Sequence, residues 1–316
     1  MPLAILFGLA AAVMAAEPRY ELRGQLRPPG RAAVSLFGAT TPFASGAAAD
    51  SLGRFQFRNL LAGSYTLAVF VSGRGEARRT IEVGPGTAGS RRRVHVRIDL
   101  GDSAFAYGAV ERRHKVDARQ LAVPPGAWKA FEQAQKALEQ RDAIAARTHL
   151  ERAVQIAPAF AMAWNTLGTI AYQSREFPRA EECFRRSLEA DAGAFEPLVN
   201  LGGVLVTTRR LEEALRFNTL AVVARPNDAL ANSQLGMTYF YLDRLDLARK
   251  HLAQARQADP AHFSHPQLLL AEIELRGQNW QGAADQLEDF LTQHPDWPRG
   301  DQVRAAIRDL RQRGAP

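Results

Sequence analysis

The sequence predicts two unlike folds in tandem on a multidomain chain, an all-β N-terminal sandwich followed by an all-α superhelix. Three observations carry this. Between Glu17 and Leu100 apolar residues alternate with polar ones in short runs broken by Gly, Pro, Asn and Asp. From Ala127 onward, small residues, bulky residues and prolines recur at a 34-residue period. The chain's 316 residues, 46% hydrophobic and 23% charged, suit about two globular domains. A single cysteine, Cys183, excludes an intramolecular disulfide and any Cys-cluster metal site.

Residues 1–16, MPLAILFGLAAAVMAA, place Leu3, Ile5, Leu6, Phe7, Leu9 and Val13 among alanines before Glu17, Pro18 and Arg19. The run has the length of a signal-peptide core and is too short to span a bilayer comfortably. Val13 and Ala15, or Met14 and Ala16, supply small or modest residues for cleavage, although the stretch carries no Lys or Arg. The expectation is an exported, periplasmic or secreted protein with no stable membrane span once the signal is removed.

Residues 17–100 form the expected sandwich. Tyr20, Leu22 and Leu26 share one face of a first strand, Phe55 and Phe57 of another, Tyr65, Leu67, Val69 and Val71 of a third, and Val94, Val96, Ile98 and Leu100 of a last. Asp50, Ser51 and Gly53 supply one turn, and Asn59 to Gly63 the next. Thirteen basic residues face six acidic ones here, while Ala127 to the end carries 23 against 24. A basic surface attracts nucleic acid, anionic lipid or acidic glycan, but alternate arginines on strands read first as a water-facing side. The order D-S-L-G-R-F-Q-F-R-N-L-L-A-G-S-Y-T-L, centred on Asp50, Gly53, Phe55, Phe57, Leu61, Gly63, Tyr65 and Leu67, resembles the carboxypeptidase regulatory-like family. That resemblance implies a transthyretin-like accessory module of exported proteins, without peptidase activity.

Residues 101–126 read as an extended linker lying on a neighbouring domain, ended by Pro124 and Pro125. Residues 127–297 then divide into five segments starting at Ala127, Ala161, Phe195, Ala229 and Ser264. Their eighth positions are Ala134, Gly168, Gly202, Gly236 and Ala271, and their twentieth are alanine throughout. Small residues there let two antiparallel helices approach closely. A larger residue at the twenty-fourth (Leu150, Phe184, Leu252, Leu287, with Asn218 a departure in repeat three) is expected to fill the space between neighbours. Proline at the thirty-second position in four copies turns the chain into the next unit. Trp164, Leu167, Gly168 and Ala171 resemble the tetratricopeptide repeat (TPR) family, and the likeness runs through all five copies. Residues 298–316 read as a capping helix, with Val303, Ile307 and Leu310 turned inward.

The resemblance implies a concave wall made by the first helix of each repeat at its second, fifth, ninth and twelfth positions. Twelve of the twenty residues there are apolar or aromatic and none is Lys or Arg. Without cations the wall suits neither nucleic acid nor the family's clamp for a C-terminal carboxylate. The expected partner is a protein or peptide with an apolar segment, held by Phe131, Leu138, Asn165, Tyr172, Val199, Val206, Met237, Phe240 and Leu268. Twelfth-position side chains often touch the adjacent repeat, so part of this set is expected to be core. No G-x-S-x-G, H-E-x-x-H or P-loop motif occurs, and no catalytic residue, metal or cofactor is expected. His262 and His265 read as surface histidines and Cys183 as a packed small side chain. The alternative function is binding of a cell-envelope polysaccharide by the sandwich, with Tyr65 or Phe43 stacking on sugars and the array as tether or oligomerisation module.

Overall fold

A computed structural model describes residues 17–101, 105 and 122–314. The expected signal segment and most of the expected linker lie outside the described residues. The alternating runs become seven strands, β1 (Tyr20–Arg27), β2 (Ala32–Gly38), β3 (Ala44–Ala49), β4 (Arg54–Leu60), β5 (Gly63–Val71), β6 (Gly75–Val83) and β7 (Arg93–Asp99). They form two sheets, ordered β4-β1-β7 and β3-β2-β5-β6. β1 runs antiparallel to β4 and parallel to β7. Period-two patterning turns Leu22, Leu26, Val34, Leu36, Phe57, Leu67, Val69 and Ile98 into one shared core. At the Asp50 turn, Oδ1 accepts from the backbone nitrogens of Leu52 and Arg54, both at 2.9 Å. Gly53 takes φ +74° there, which a side chain adopts only with strain. Phe105 joins the core beneath the Arg74 guanidinium, 4.3 Å from its ring centroid.

The repeats fold as helical hairpins. Their helices are α1 (Pro125–Glu139) with α2 (Ala143–Ile156), α3 (Ala161–Gln173) with α4 (Phe177–Ala190), α5 (Phe195–Thr207) with α6 (Leu211–Ala224), α7 (Ala229–Tyr241) with α8 (Leu245–Ala258), and α9 (Pro266–Arg276) with α10 (Trp280–Gln293). α11 (Gly300–Arg313) packs on α10 with Ile307 and Leu310 buried. Each hairpin turn holds one non-glycine residue at positive φ: Arg141, Arg175, Arg209, Asp243 and Gln278. These recur at the repeat spacing, including the one-residue displacement of the last copy.

The small-residue rule has a direct cause. A Cβ on Gly168 would meet the Phe184 ring at 2.6 Å, one on Gly202 the Asn218 amide at 1.8 Å, and one on Gly236 the Leu252 side chain at 2.8 Å. The bulky twenty-fourth residue therefore lies on the glycine of its own repeat. Cys183 is free and fully buried, its thiol pushed up to about 11 chiefly by burial. Among the described residues no helix is long and apolar enough to cross a membrane.

Candidate interaction surface

The first helices supply the expected wall, and its residues divide by burial. Phe131 packs on Trp128 and Phe160, with ring centroids 6.0 and 5.2 Å away. Leu138 lies in the same cluster, which reaches across to Ala44 of β3. Val199 is buried with Phe195, Leu198 and Ala221, and Val206 with Leu201 and Leu205. Phe240 is buried beside Leu252 and Leu270, with the Arg276 guanidinium 4.6 Å over its ring. Helix packing occupies these five side chains. Asn165, Tyr172, Met237 and Leu268 stay half-buried. The Asn165 carbonyl oxygen accepts from Asn200 Nδ2 at 3.1 Å, and the Tyr172 hydroxyl lies 3.2 Å from Thr207 Oγ1.

The sandwich sits against this array through its four-stranded sheet. At the hairpin-turn end of repeats one and two, Arg141 Nη2 donates to the Tyr65 hydroxyl at 2.8 Å, and its guanidinium covers the Phe43 ring at 4.3 Å. Ser45 Oγ donates to Glu139 at 2.9 Å, and Gln173 Nε2 donates to the Gly38 carbonyl at 3.1 Å. At the inter-repeat turns of repeats three to five, the outward row of β6 makes the contacts. Arg78 Nη2 bonds Glu196 at 3.0 Å, and the Thr80 amide donates to Asp259 at 2.8 Å. Glu82 meets His294 at 3.3 Å, and just beyond β6 the Gly86 amide donates to Asp296 at 2.7 Å. The sheet thus touches all five repeats.

Charge at this contact is tuned by burial and pairing. Burial pulls the Arg78 guanidinium down, but Glu76, Glu196 and Asp228 outweigh it and hold the proton firmly. Burial likewise opposes ionisation of Glu196, and Arg78 and Arg225 overcome it. Asp259 is raised by burial, against the bond from Thr80. His265 Nδ1 lies 3.2 Å from His294 Nε2, and His262 Nδ1 lies 2.6 Å from Ser264 Oγ. Burial holds the His262 and His265 rings neutral, lowering His262 to about 3 and His265 to about 4, and the neighbouring histidines add to it.

Two expectations are corrected here. His262, 4% exposed, and the half-buried His265 are not surface histidines. The turn after repeat four is roofed by the sandwich and by repeat five, so polar turn residues become interior ones. Tyr65 and Phe43 are also buried, edge to face at 5.6 Å beneath Arg141, so neither presents a ring to a sugar. The sequence reading missed Arg78, Arg141, Asp259, His294 and Asp296 as contact residues. On β6 the polar alternation Glu76, Arg78, Thr80, Glu82 has the pattern of a water-facing row, and only a docked neighbour distinguishes the two. Among the described residues no group of three His, Cys, Asp or Glu is placed to hold a metal ion.

A family profile for the tetratricopeptide repeat matches residues 131–195, 165–229 and 233–298, more than half of the chain. No curated protein sequence matches it. Among solved structures the chain is similar to PilW, described as a widely conserved type IV pilus biogenesis factor, with 18% identity over 60% of this chain and 88% of that one and a TM-score of 0.54. It is similar to Pseudomonas aeruginosa pilF, with 18% identity over 62% and 87% and a TM-score of 0.52. A third is YrrB, a TPR protein with an unusual peptide-binding site, with 21% identity over 58% and 100% and a TM-score of 0.46. The first two likenesses show the helical-repeat fold.

Proposed function

We propose, from the premise that this chain belongs to the tetratricopeptide repeat family, that it is an exported, non-enzymatic protein-interaction scaffold whose concave wall takes an apolar polypeptide segment. The observation that carries this reading is the composition of the wall. Its twenty positions hold no Lys or Arg. The side chains that helix packing leaves half-open (Asn165, Tyr172, Met237, Leu268) offer apolar surface with few polar groups. A bound segment gains chiefly from buried apolar area, with the amide of Asn165 and the Tyr172 hydroxyl fixing its register. The sandwich is the segment's neighbour on the array, so binding fits beside it or displaces it.

A photo-crosslinking residue placed at Tyr172 or Met237, and at Ile144 as control, tests this in the cell of origin. Ile144 is 82% exposed on a second helix. The reading expects one shared polypeptide at the first two positions and none at Ile144. Crosslinks only to the chain's own sandwich, or equal capture at Ile144, sink it. Export is checked separately by the mature N-terminus, expected at Ala16 or Glu17.

A further inference from the structure

We propose that the sandwich is a reversible lid on the array: docked, it shuts the concave wall, and an apolar segment reaches that wall by displacing it. This rests on the reading of the wall as a polypeptide site and adds how access to it is controlled.

The contacts run from rim to rim. Glu139 and Gln173, the last residues of α1 and α3, bond Ser45 and the Gly38 carbonyl at the hairpin-turn rim. Glu196, the second residue of α5, bonds Arg78 at the opposite rim, and Asp259, just past α8, accepts the Thr80 amide there. α3 and α5 have thirteen residues each, so they are about 20 Å long. Four strands about 4.8 Å apart span about 14 Å between the outer two, and side chains at both edges close the rest. A sheet fixed at both rims therefore lies over the wall between them.

Burial on the outer face of the sheet agrees. Cross-strand pairing sets Ser35, Ala68 and Arg78 in one row and Phe37, Thr66 and Thr80 in the next. Ala68, on the inner strand β5, is 5% exposed, and Thr80, on the edge strand β6, is 6% exposed. Gln25, on the inner strand of the other sheet and turned outward in the same way, is exposed. The difference is the array beneath the four-stranded sheet. Phe37 is 41% exposed, so the cover is incomplete at β2 and an apolar side chain stands at its margin.

The seam has the chemistry of a contact that opens. Among the described residues only Ala44 crosses from the sandwich into an array core, and the sandwich core holds no array residue. Ion pairs and hydrogen bonds hold the rest, and water replaces such bonds when the two surfaces part. Residues 101–124 keep the sandwich tied to the array, so it recloses at an effective concentration of about a millimolar. A partner's apparent affinity is then its intrinsic affinity reduced by the fraction of molecules that are open. Segments that bury enough apolar surface to outweigh the seam are admitted, and weaker ones are excluded.

The test is thiol labelling of the full chain with N-ethylmaleimide, followed peptide by peptide by mass spectrometry. Thr80→Cys and Ala68→Cys, made one at a time, lie beneath the lid, and Ile144→Cys lies in the open. Native Cys183, fully buried in α4, reports unfolding of the array in the same sample. Both lid cysteines should label far more slowly than Ile144→Cys and well ahead of Cys183. A hydrogen bond to a charged group is worth about tenfold or more in the ratio of closed to open. Glu196→Gln with Asp259→Ala should therefore speed both lid cysteines about a hundredfold and leave Cys183 unchanged. Without those two changes, labelling beneath the lid should also quicken as sodium chloride rises, because salt screens the Arg78–Glu196 pair. Lid cysteines that label as fast as Ile144→Cys overturn the proposal, since the wall is then open already. So do lid cysteines that label only in step with Cys183, or at a rate the double variant leaves unaltered. No partner enters this measurement. A wall that binds nothing shows itself instead in the crosslinking at Tyr172 and Met237, whatever the lid does.

Discussion

His265 opens α9 in the left-handed region, at φ 52°, with its ring wedged against Phe290, His294 and Trp297. Burial keeps this imidazole and that of His262 neutral in the folded protein, while the unfolded chain titrates near 6.5. Since the folded pKa lies below the unfolded one, the stability is complete above about pH 7. It is lost as pH falls from 6.5 toward 4 for His265 and toward 3 for His262, because the unfolded state binds protons first. The expected loss is about 2 kcal/mol per ring by pH 5. Thermal denaturation from pH 7.5 to 5 should show it, and His265→Asn, which tolerates the left-handed backbone, should remove about half of the slope. An unchanged slope in the variant means the burial reading is wrong. Cys183 was legible in the sequence because its neighbours at helical spacing are its real surroundings. The histidines were not, because what buries them is distant in the chain.

Within an element the governing relation is a glycine facing a bulky residue sixteen positions on. Gly168→Ala puts a methyl group into the Phe184 ring, which is itself 1% exposed, and should cost about 1–3 kcal/mol. Repeat three breaks the pattern with Asn218, fully buried, whose Nδ2 reaches Thr238 Oγ1 at 2.9 Å while its Oδ1 has no partner. Repeat four shows that leucine fits over glycine at this place, through Leu252 and Gly236. Thr238 also keeps a bond to the Gln234 carbonyl. Asn218→Leu should therefore raise the urea midpoint by the equivalent of about 1 kcal/mol, with the slope of the transition unchanged. A lower midpoint would show that the amide's bonds outweigh its orphaned oxygen. The helices and their pairing were readable because a period of 34 with fixed small positions leaves few ways to pack a hairpin. The strands were readable because period two exposes the buried face.

Across the whole molecule the sandwich and the array meet at two places. Arg141 anchors the hairpin-turn end, and Asp259 and Asp296 anchor the other by accepting backbone amides. Removing one anchor at each end, by Arg141→Ala with Asp259→Ala, should speed hydrogen exchange at the Thr80 amide at least tenfold. Exchange in the α2 core around Leu150 should not change. Unaltered exchange at Thr80 would falsify the docking. The residues expected on the concave wall were identifiable by repeat position, but their availability was not. Phe131 and Phe240 share an apolar character with Met237, and only packing decides which of them a partner can touch. The sequence by itself determined the two kinds of domain, the repeat period and the inward face of each strand and helix, because these depend on spacing along a chain of fixed geometry. Tertiary structure alone decided that the four-stranded sheet meets five repeats and that His262 is interior, because proximity between segments far apart in sequence leaves no periodic trace.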